Sequence, residues 1–330
     1  METLLLESLE NLCRNFRRGD QAAHLGDDGA FNHGGRQAGR AGVLRNRLMA
    51  RFTIPELRTE PIVVTQENLE KGMGRTLLLV VAHADDPAIF VGGVVAMWAR
   101  AGWYVHCLRV TDDRWDSVGL DETQTIKRNA VEFRQAARVL GIAEVEDLGW
   151  QTDVLGDVSR VALRERVIHT IRRIKPYGIV TFDPDSLFHE DNLDHRVLAQ
   201  AVDEACWTAQ FDKHHPEHFA EGLAPHGVYE RWFFGRTIAS VTHVFDTSEM
   251  LDVQKQAIMC HQTMLANIAQ QMALQARTAG LSSDVLLRAT QGDYGTLIES
   301  LLFPGASAKG QPFNLASAEY MRSSRSNLPR

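Results

Sequence analysis

The sequence predicts an α/β protein: a mostly parallel sheet with helices on both faces, preceded by an N-terminal extension. Three observations carry that prediction. Strand-like and helix-like patterns alternate from Arg75 to Trp207. The first strand, Thr76 to Ala82, is a continuous aliphatic run, as a strand buried on both faces requires. The residues able to do chemistry follow directly on strand ends. Parallel strands joined by right-handed crossovers place ligands at the carboxyl ends of the strands.

Residues 1–74 read as the extension. Leu4, Leu5, Leu9, Leu12 and Phe16 fit an amphipathic helix, Arg18 to Gly42 is rich in Gly, Ala and charge, and Ile54 to Thr65 suits an extended segment laid on the main domain. The main domain spans 75–304. After its first strand, a helix runs from Gly92 to near Gly102 on Val94, Val95, Met97 and Trp98, and Trp103 to Val110 is the second strand. Asp121 with Gln124 resembles a capping box for a helix on Ile126, Ala130, Phe133, Ala137 and Leu140, which Gly141 stops. A strand at Glu144–Leu148, a helix at Val158–Ile174, a strand at Gly178–Phe182 and a helix at His195–Trp207 continue the alternation. Tyr229–Phe234 and Ser240–Phe245 are later strands, followed by a helix from about Ser248 to Leu265 and more helix to Ala279. Residues 305–330 are polar, poor in bulky side chains and expected to form a partly mobile tail.

Composition removes several classes. With 44% hydrophobic and 23% charged residues the chain reads as globular, and 35 Lys and Arg against 42 Asp and Glu give −7, the wrong sign for nucleic acid or an anionic membrane surface. No run approaches the roughly 18 apolar residues of a membrane helix. Glu2, Glu7, Glu10 and Arg14 interrupt what a signal peptide would keep apolar, so secretion by that route is not expected. Cys13, Cys107, Cys206 and Cys260 lie far apart, with no C-x-x-C pair, which suits a reducing cytoplasm.

Two clusters could carry chemistry. Val81-Ala82-His83-Ala84-Asp85-Asp86-Pro87 ends the first strand with an imidazole and two carboxylates; His83 and Asp86, three apart, project to one side if a helix starts there, which suits two ligands of one zinc ion. Asp85 would then point elsewhere. The plainer alternative is that Asp85 or Asp86 caps the helix. Thr181-Phe182-Asp183-Pro184 ends another strand, and His189-Glu190-Asp191-Asn192-Leu193-Asp194-His195 leads into a helix. His195 could complete the metal set, with Asp194 beside it or Asp183 orienting an imidazole from outside. A charged, solvated loop is the alternative there. His214-His215-Pro216-Glu217-His218 could bind a second metal, although a surface loop or lid explains it as well. Trp115, Trp150 and Trp232 could stack on a sugar or simply fill core.

These residues resemble the GlcNAc-PI de-N-acetylase family, also called PIG-L or LmbE-like. Its A-H-P-D-D motif is matched by Ala82-His83-Ala84-Asp85-Asp86, and its H-P-D-H-R motif in part by Asn192-Leu193-Asp194-His195-Arg196. Arg128, Glu132, Ala136, Ala137, Leu140 and Gly141 resemble its R-x-x-x-E helix, and Lys255, Ala257, His261, Gln262 and Thr263 its late K-x-A-x-x-x-H segment; the match covers about 75–270. The resemblance implies a Rossmann-like sheet, one zinc ion per chain on His83, Asp86 and His195, and Asp85 as general base. It implies hydrolysis of an N-acyl amide, most often N-acetyl on an amino sugar or small glycoconjugate. Asp183, Asp194 and Arg128 are the expected supporting residues.

Three positions depart from the pattern. Ala84 replaces the usual proline, Pro87 stands where many members carry Glu, and Asn192 stands where the family has a His that assists the oxyanion or the leaving amine. Asn can donate a hydrogen bond but cannot shuttle a proton, so His189 or His261 is the candidate substitute. Two other readings remain beside the deacetylase: a zinc-binding member with weak or no hydrolase activity, and an aspartate-nucleophile phosphotransferase using Mg²⁺, against which His83 counts as a poor ligand. Residues 1–74 could cover the pocket or mediate self-association.

Overall fold

The computed structural model describes residues 60–185, 190–236, 238, 240–299 and 317–325. One 8-stranded sheet organises them: β1 (Ile62–Val64), β2 (Thr76–Val81), β3 (Tyr104–Thr111), β4 (Glu144–Trp150), β5 (Gly178–Phe182), β6 (Glu230–Phe234), β7 (His243–Asp246) and β8 (Ala318–Arg325), in the order β1-β7-β8-β6-β5-β2-β3-β4. Every pairing is parallel except those of β8, which runs antiparallel to both β6 and β7. The principal helices are α1 (Asp86–Arg100), α2 (Glu122–Leu140), α3 (Arg160–Ile174), α4 (Leu193–Thr208), α5 (Pro216–Ala220), α6 (Leu251–Cys260), α7 (Gln262–Thr278) and α8 (Asp284–Ala289). No helix of the described residues is long and apolar enough to cross a membrane.

Strand β2 shows why its aliphatic run is unbroken. Leu77, Leu79 and Val81 enter one core with α1, α2, α6 and α7, while Leu78, Val80 and Ala82 enter a second core with α3 and α4. Polar residues at either phase would be stranded in one of these layers. Helix α2 begins and ends as its sequence predicts: the Asp121 carboxylate accepts the Gln124 N–H, and Gly141 closes it at φ 78.

Three expectations are corrected. Residues 318–325 are not part of a loose tail but fill the sheet between β6 and β7. Their polarity hides the strand, yet it is satisfied inside the fold: Glu319 accepts the N–H groups of Gly93 and Val94 at 2.9 and 2.8 Å, and Arg322 binds Asp183. Helix α1 starts at Asp86 and is interrupted at Val91 (φ −143), so the reading from Gly92 caught only the segment that Glu319 caps. The helix expected from Ser248 to Leu265 breaks at His261 (φ −87, ψ 58) into α6 and α7. Of residues 1–74, 1–59 lie outside the described residues, and Ile62–Val64 extends the sheet edge against β7.

Candidate metal centre

Strands β2 and β5 are parallel neighbours, so their carboxyl ends, each followed by a polar loop, lie side by side. His83 and His195, separated by 112 positions, meet there: His83 Nδ1 is 3.0 Å from His195 Nε2. Asp86 joins them from the first turn of α1, with Oδ1 3.2 Å from His195 Nε2 and Oδ2 3.8 Å from His83 Nδ1. All three are buried, and one ligand atom of each lies within 4.8 Å of the others. Asp86 Oδ2 also accepts the backbone N–H groups of Ala82 (3.0 Å) and His83 (2.8 Å), which folds the loop back on itself and fixes the carboxylate.

The outward nitrogens are backed by carboxylates. His83 Nε2 is 3.5 Å from Asp194 Oδ2, and His195 Nδ1 is 3.2 Å from Glu190 Oε1. A carboxylate behind an imidazole holds the proton on the outer nitrogen and leaves the inner one free to ligate. Burial opposes charge on the rings, but Asp194 and Asp86 outweigh it at His83, which is held well above its ordinary value. Asp86 likewise raises His195, to about 8. Burial also opposes the Asp86 charge, which the two imidazoles pull below the usual carboxylate range. The trio thus attracts positive charge, a proton or a metal cation. Phe182 stacks on the His195 ring at 3.9 Å and Phe90 meets it edge-on at 5.8 Å, forming an apolar wall.

Asp85 precedes α1, but its side chain makes no cap hydrogen bond there. Burial and the Asp86 charge push it up to about 7. The loop's other support was not foreseen. Buried Asp113 (φ 54) accepts the Ala84 N–H at 3.2 Å and an Arg109 N–H at 2.7 Å, while Arg109 also donates to Asp147. A proline at 84 would have no N–H to offer, so here a hydrogen bond does the stiffening that a ring would do. Asp116, on the same β3–α2 loop, lies near enough for His83, Asp86 and Asp194 to act on its charge.

The remaining expected residues sort as follows. Asp194 is wholly buried and, besides backing His83, accepts the N–H groups of Asp153 and Leu155. Asp183, expected to orient an imidazole, has its carboxylate bound by Arg322; Glu190, which sequence reasoning passed over, stands beside His195 instead. The signal for Glu190 was only its place in a charged loop. Asn192 caps α4, its Oδ1 accepting the Asp194 N–H at 2.9 Å. Arg128 is exposed on α2, and the charge it acts on is Glu132 rather than the trio. His189 lies outside the described residues. His261, at the α6–α7 break, is 1% exposed with no hydrogen-bond partner for Nε2, and the charges of Asp86 and Arg109 act on it. Burial lowers it to about 4, so it stands as a neutral imidazole.

The other histidine group is differently built. His215 Nδ1 and Glu217 lie 3.0 Å apart, but His218 is already bonded at both nitrogens, Nδ1 accepting from Arg172 and Nε2 facing Glu165 at 2.8 Å. A cation at Nδ1 would sit against the Arg172 guanidinium, so this is a hydrogen-bonded ion-pair network. Trp232 packs in the core against Trp98 and Phe245, whereas Trp115 is exposed.

A family model described as PIG-L, GlcNAc-PI de-N-acetylase, matches residues 78–206. The 1D-myo-inositol 2-acetamido-2-deoxy-alpha-D-glucopyranoside deacetylase of Rhodococcus jostii is 25% identical over 239 residues, covering 58% of this chain and 82% of that protein. Among solved structures, N,N'-diacetylchitobiose deacetylase from Pyrococcus horikoshii aligns with a TM-score of 0.63 at 16% identity, over 88% of this chain and 94% of that one. A 4-carboxy-2-hydroxymuconate hydratase from Pseudomonas putida aligns at 0.50 and 19%, over 78% and 97%. These two share the fold with this chain, and their different reactions leave the chemistry to the side chains. The family match runs from β2 into α4 and so includes His83, Asp86 and His195; residues 78–206 of this chain are a PIG-L, LmbE-like family domain.

Proposed function

We propose that the protein is a zinc-dependent amidohydrolase that removes an N-acyl group, N-acetyl in the first instance, from an amino sugar or small glycoconjugate. The observation that carries the reading is the trio His83, Asp86 and His195, with both outer imidazole nitrogens facing carboxylates. That donor set, two imidazoles and one carboxylate, suits zinc with a position left for water or substrate. The resemblance to a protein named as a deacetylase of a 2-acetamido-glucopyranoside supports the substrate class.

His83, Asp86 and His195 would hold one zinc ion per chain. Bound there, zinc supplies a Lewis acid and makes water more acidic. Asp85 takes the proton of the attacking water and returns it to the departing nitrogen, so the bond to the acyl carbon breaks with a neutral amine leaving. His261 keeps an imidazole N–H for the carbonyl oxygen as negative charge develops there, the duty that Asn192, occupied in capping α4, does not take up. Cytoplasmic location is part of the same proposal and rests on the cysteine spacing.

The test is elemental analysis of the purified protein with amine release from N-acetylglucosamine, its β-glycosides, N,N'-diacetylchitobiose and an N-acetylglucosaminyl inositol, before and after chelation. One zinc with chelator-sensitive release supports the proposal. Zinc without release on any of them favours the second reading, a metal-binding protein with little hydrolase activity, for which the cap role of Asn192 is the specific observation. No transition metal would overturn the ligand set.

A further inference from the structure

The segment Val253 to Leu265 contains neither Gly nor Pro, yet the chain leaves helical geometry at His261 and resumes it at Gln262. A side chain inserted into the helical ladder is one cause of a break without those residues. The inserted group comes from α2. Glu132 Oε2 accepts the Thr263 backbone N–H at 2.9 Å, and Oε1 accepts the Thr263 hydroxyl at 2.8 Å. Thr263 is the second residue of α7, whose N–H an N-cap side chain ordinarily takes, and His261 at the cap position makes no such bond. A carboxylate from a neighbouring helix therefore caps α7, and its charge suits the positive end of the helix. The imidazole, released from capping, is left buried with an unpartnered Nε2, close enough for the Asp86 charge to act on it.

We propose that Glu132 is a positioning residue: by capping α7 at Thr263 it sets the break at His261 and aims that imidazole into the metal centre. The inference rests on the proposed role of His261 and extends it to the pair that builds it. Without the carboxylate, α6 and α7 can join through 261 or fray there, and either change rotates the ring out of place. Glu132→Gln keeps one acceptor for the Thr263 N–H and an amide that can donate to its hydroxyl, so it should preserve the break. Glu132→Ala removes both.

The experiment is a double-mutant cycle on zinc-loaded full-length protein, read as kcat and KM for amine release from the best N-acetylated substrate, with ¹⁵N NMR of the His261 ring as a turnover-independent readout. Expected are a kcat loss of about tenfold or more in Glu132→Ala with KM little moved, near wild-type rates in Glu132→Gln, and no further loss when Glu132→Ala is added to His261→Ala. The His261 ring signals should shift in Glu132→Ala and stay in Glu132→Gln. If His261→Ala leaves kcat intact, the role proposed for His261 fails. If it slows turnover but Glu132→Ala slows the double variant equally again, the positioning inference fails alone. Unmoved ring signals in Glu132→Ala overturn it whether or not a substrate has been found. Should Glu132→Ala not fold, Thr263→Val, which loses only the hydroxyl bond, must shift the ring in its place.

Discussion

Asp194→Asn separates metal affinity from fold stability. Asp194 is 0% exposed; its Oδ2 takes the Asp153 N–H at 2.7 Å and lies 3.5 Å from His83 Nε2, and its Oδ1 takes the Leu155 N–H at 3.1 Å. An amide has one acceptor oxygen. Oriented to keep the Asp153 bond, it turns its NH₂ toward the Leu155 N–H; reversed, it opposes both Asp153 and His83. A buried donor left without its acceptor costs about 1–3 kcal/mol. Across a domain of this size that lowers the melting temperature of metal-free protein by roughly 2–4 °C per kcal/mol. Separately, the charge that keeps the proton on His83 Nε2 is gone, and losses of such supporting groups weaken metal binding by about 10–100-fold. Competition against a chromophoric chelator measures the second effect, and scanning calorimetry of the apoprotein the first. If zinc affinity stays within about twofold while the apoprotein melts earlier, Asp194 is only a staple for the 153–155 turn. His83 would then not be oriented through Nε2.

Asp85→Asn should retain one zinc per chain while amine release falls by about 10²-fold or more, and full activity by the same assay removes it as the base. Burial pushes Glu319 up to about 7 against the two N–H bonds it accepts. The folded state therefore holds that proton more tightly than an unfolded carboxyl of about 4.3, and the contribution of Glu319 to stability falls as pH rises through that window, then levels. Glu319→Gln, measured by melting at pH 5 and pH 8, should gain on the wild type at the higher pH, and an unchanged difference refutes the burial of that carboxyl. Asp116→Asn should raise turnover of N-acetylglucosamine 6-phosphate relative to its neutral parent by about fivefold, since one screened unit charge within reach of the trio is worth that order; an unchanged ratio places Asp116 outside the substrate's reach.

The parts of the site that are legible in the sequence are those written on strand ends. His83, Asp86 and His195 sit where any parallel sheet gathers ligands, and a buried aliphatic run identifies its strand without ambiguity. What escapes is whatever depends on a distant partner. Glu190 and Asp113 look like ordinary loop charge until Asn192, Ala84 and Arg109 are seen around them. The His261 break has no local signal because its cause, Glu132, is 131 positions away from Thr263. Strand β8 looks like a polar tail because Glu319 and Arg322 find their partners on α1 and at the end of β5, so pattern reading assigns to solvent what the fold assigns to caps and ion pairs.

The same accounting indicates which groups are free to react. Around the trio, Asp86 is fixed by two backbone N–H groups, Asp194 by two others, Asp113 by Arg109, and Glu190 by the Asn192 N–H with Arg236 nearby. Each of these carboxylates has its position set by the backbone or by an arginine, which suits holding and orienting a cation. Among the described residues Asp85 and Asp116 are bonded to no neighbouring side chain, and both are raised toward neutrality by their enclosed positions. A carboxyl that exchanges its proton near neutral pH with no fixed partner is suited to take one from water and return it to an amine.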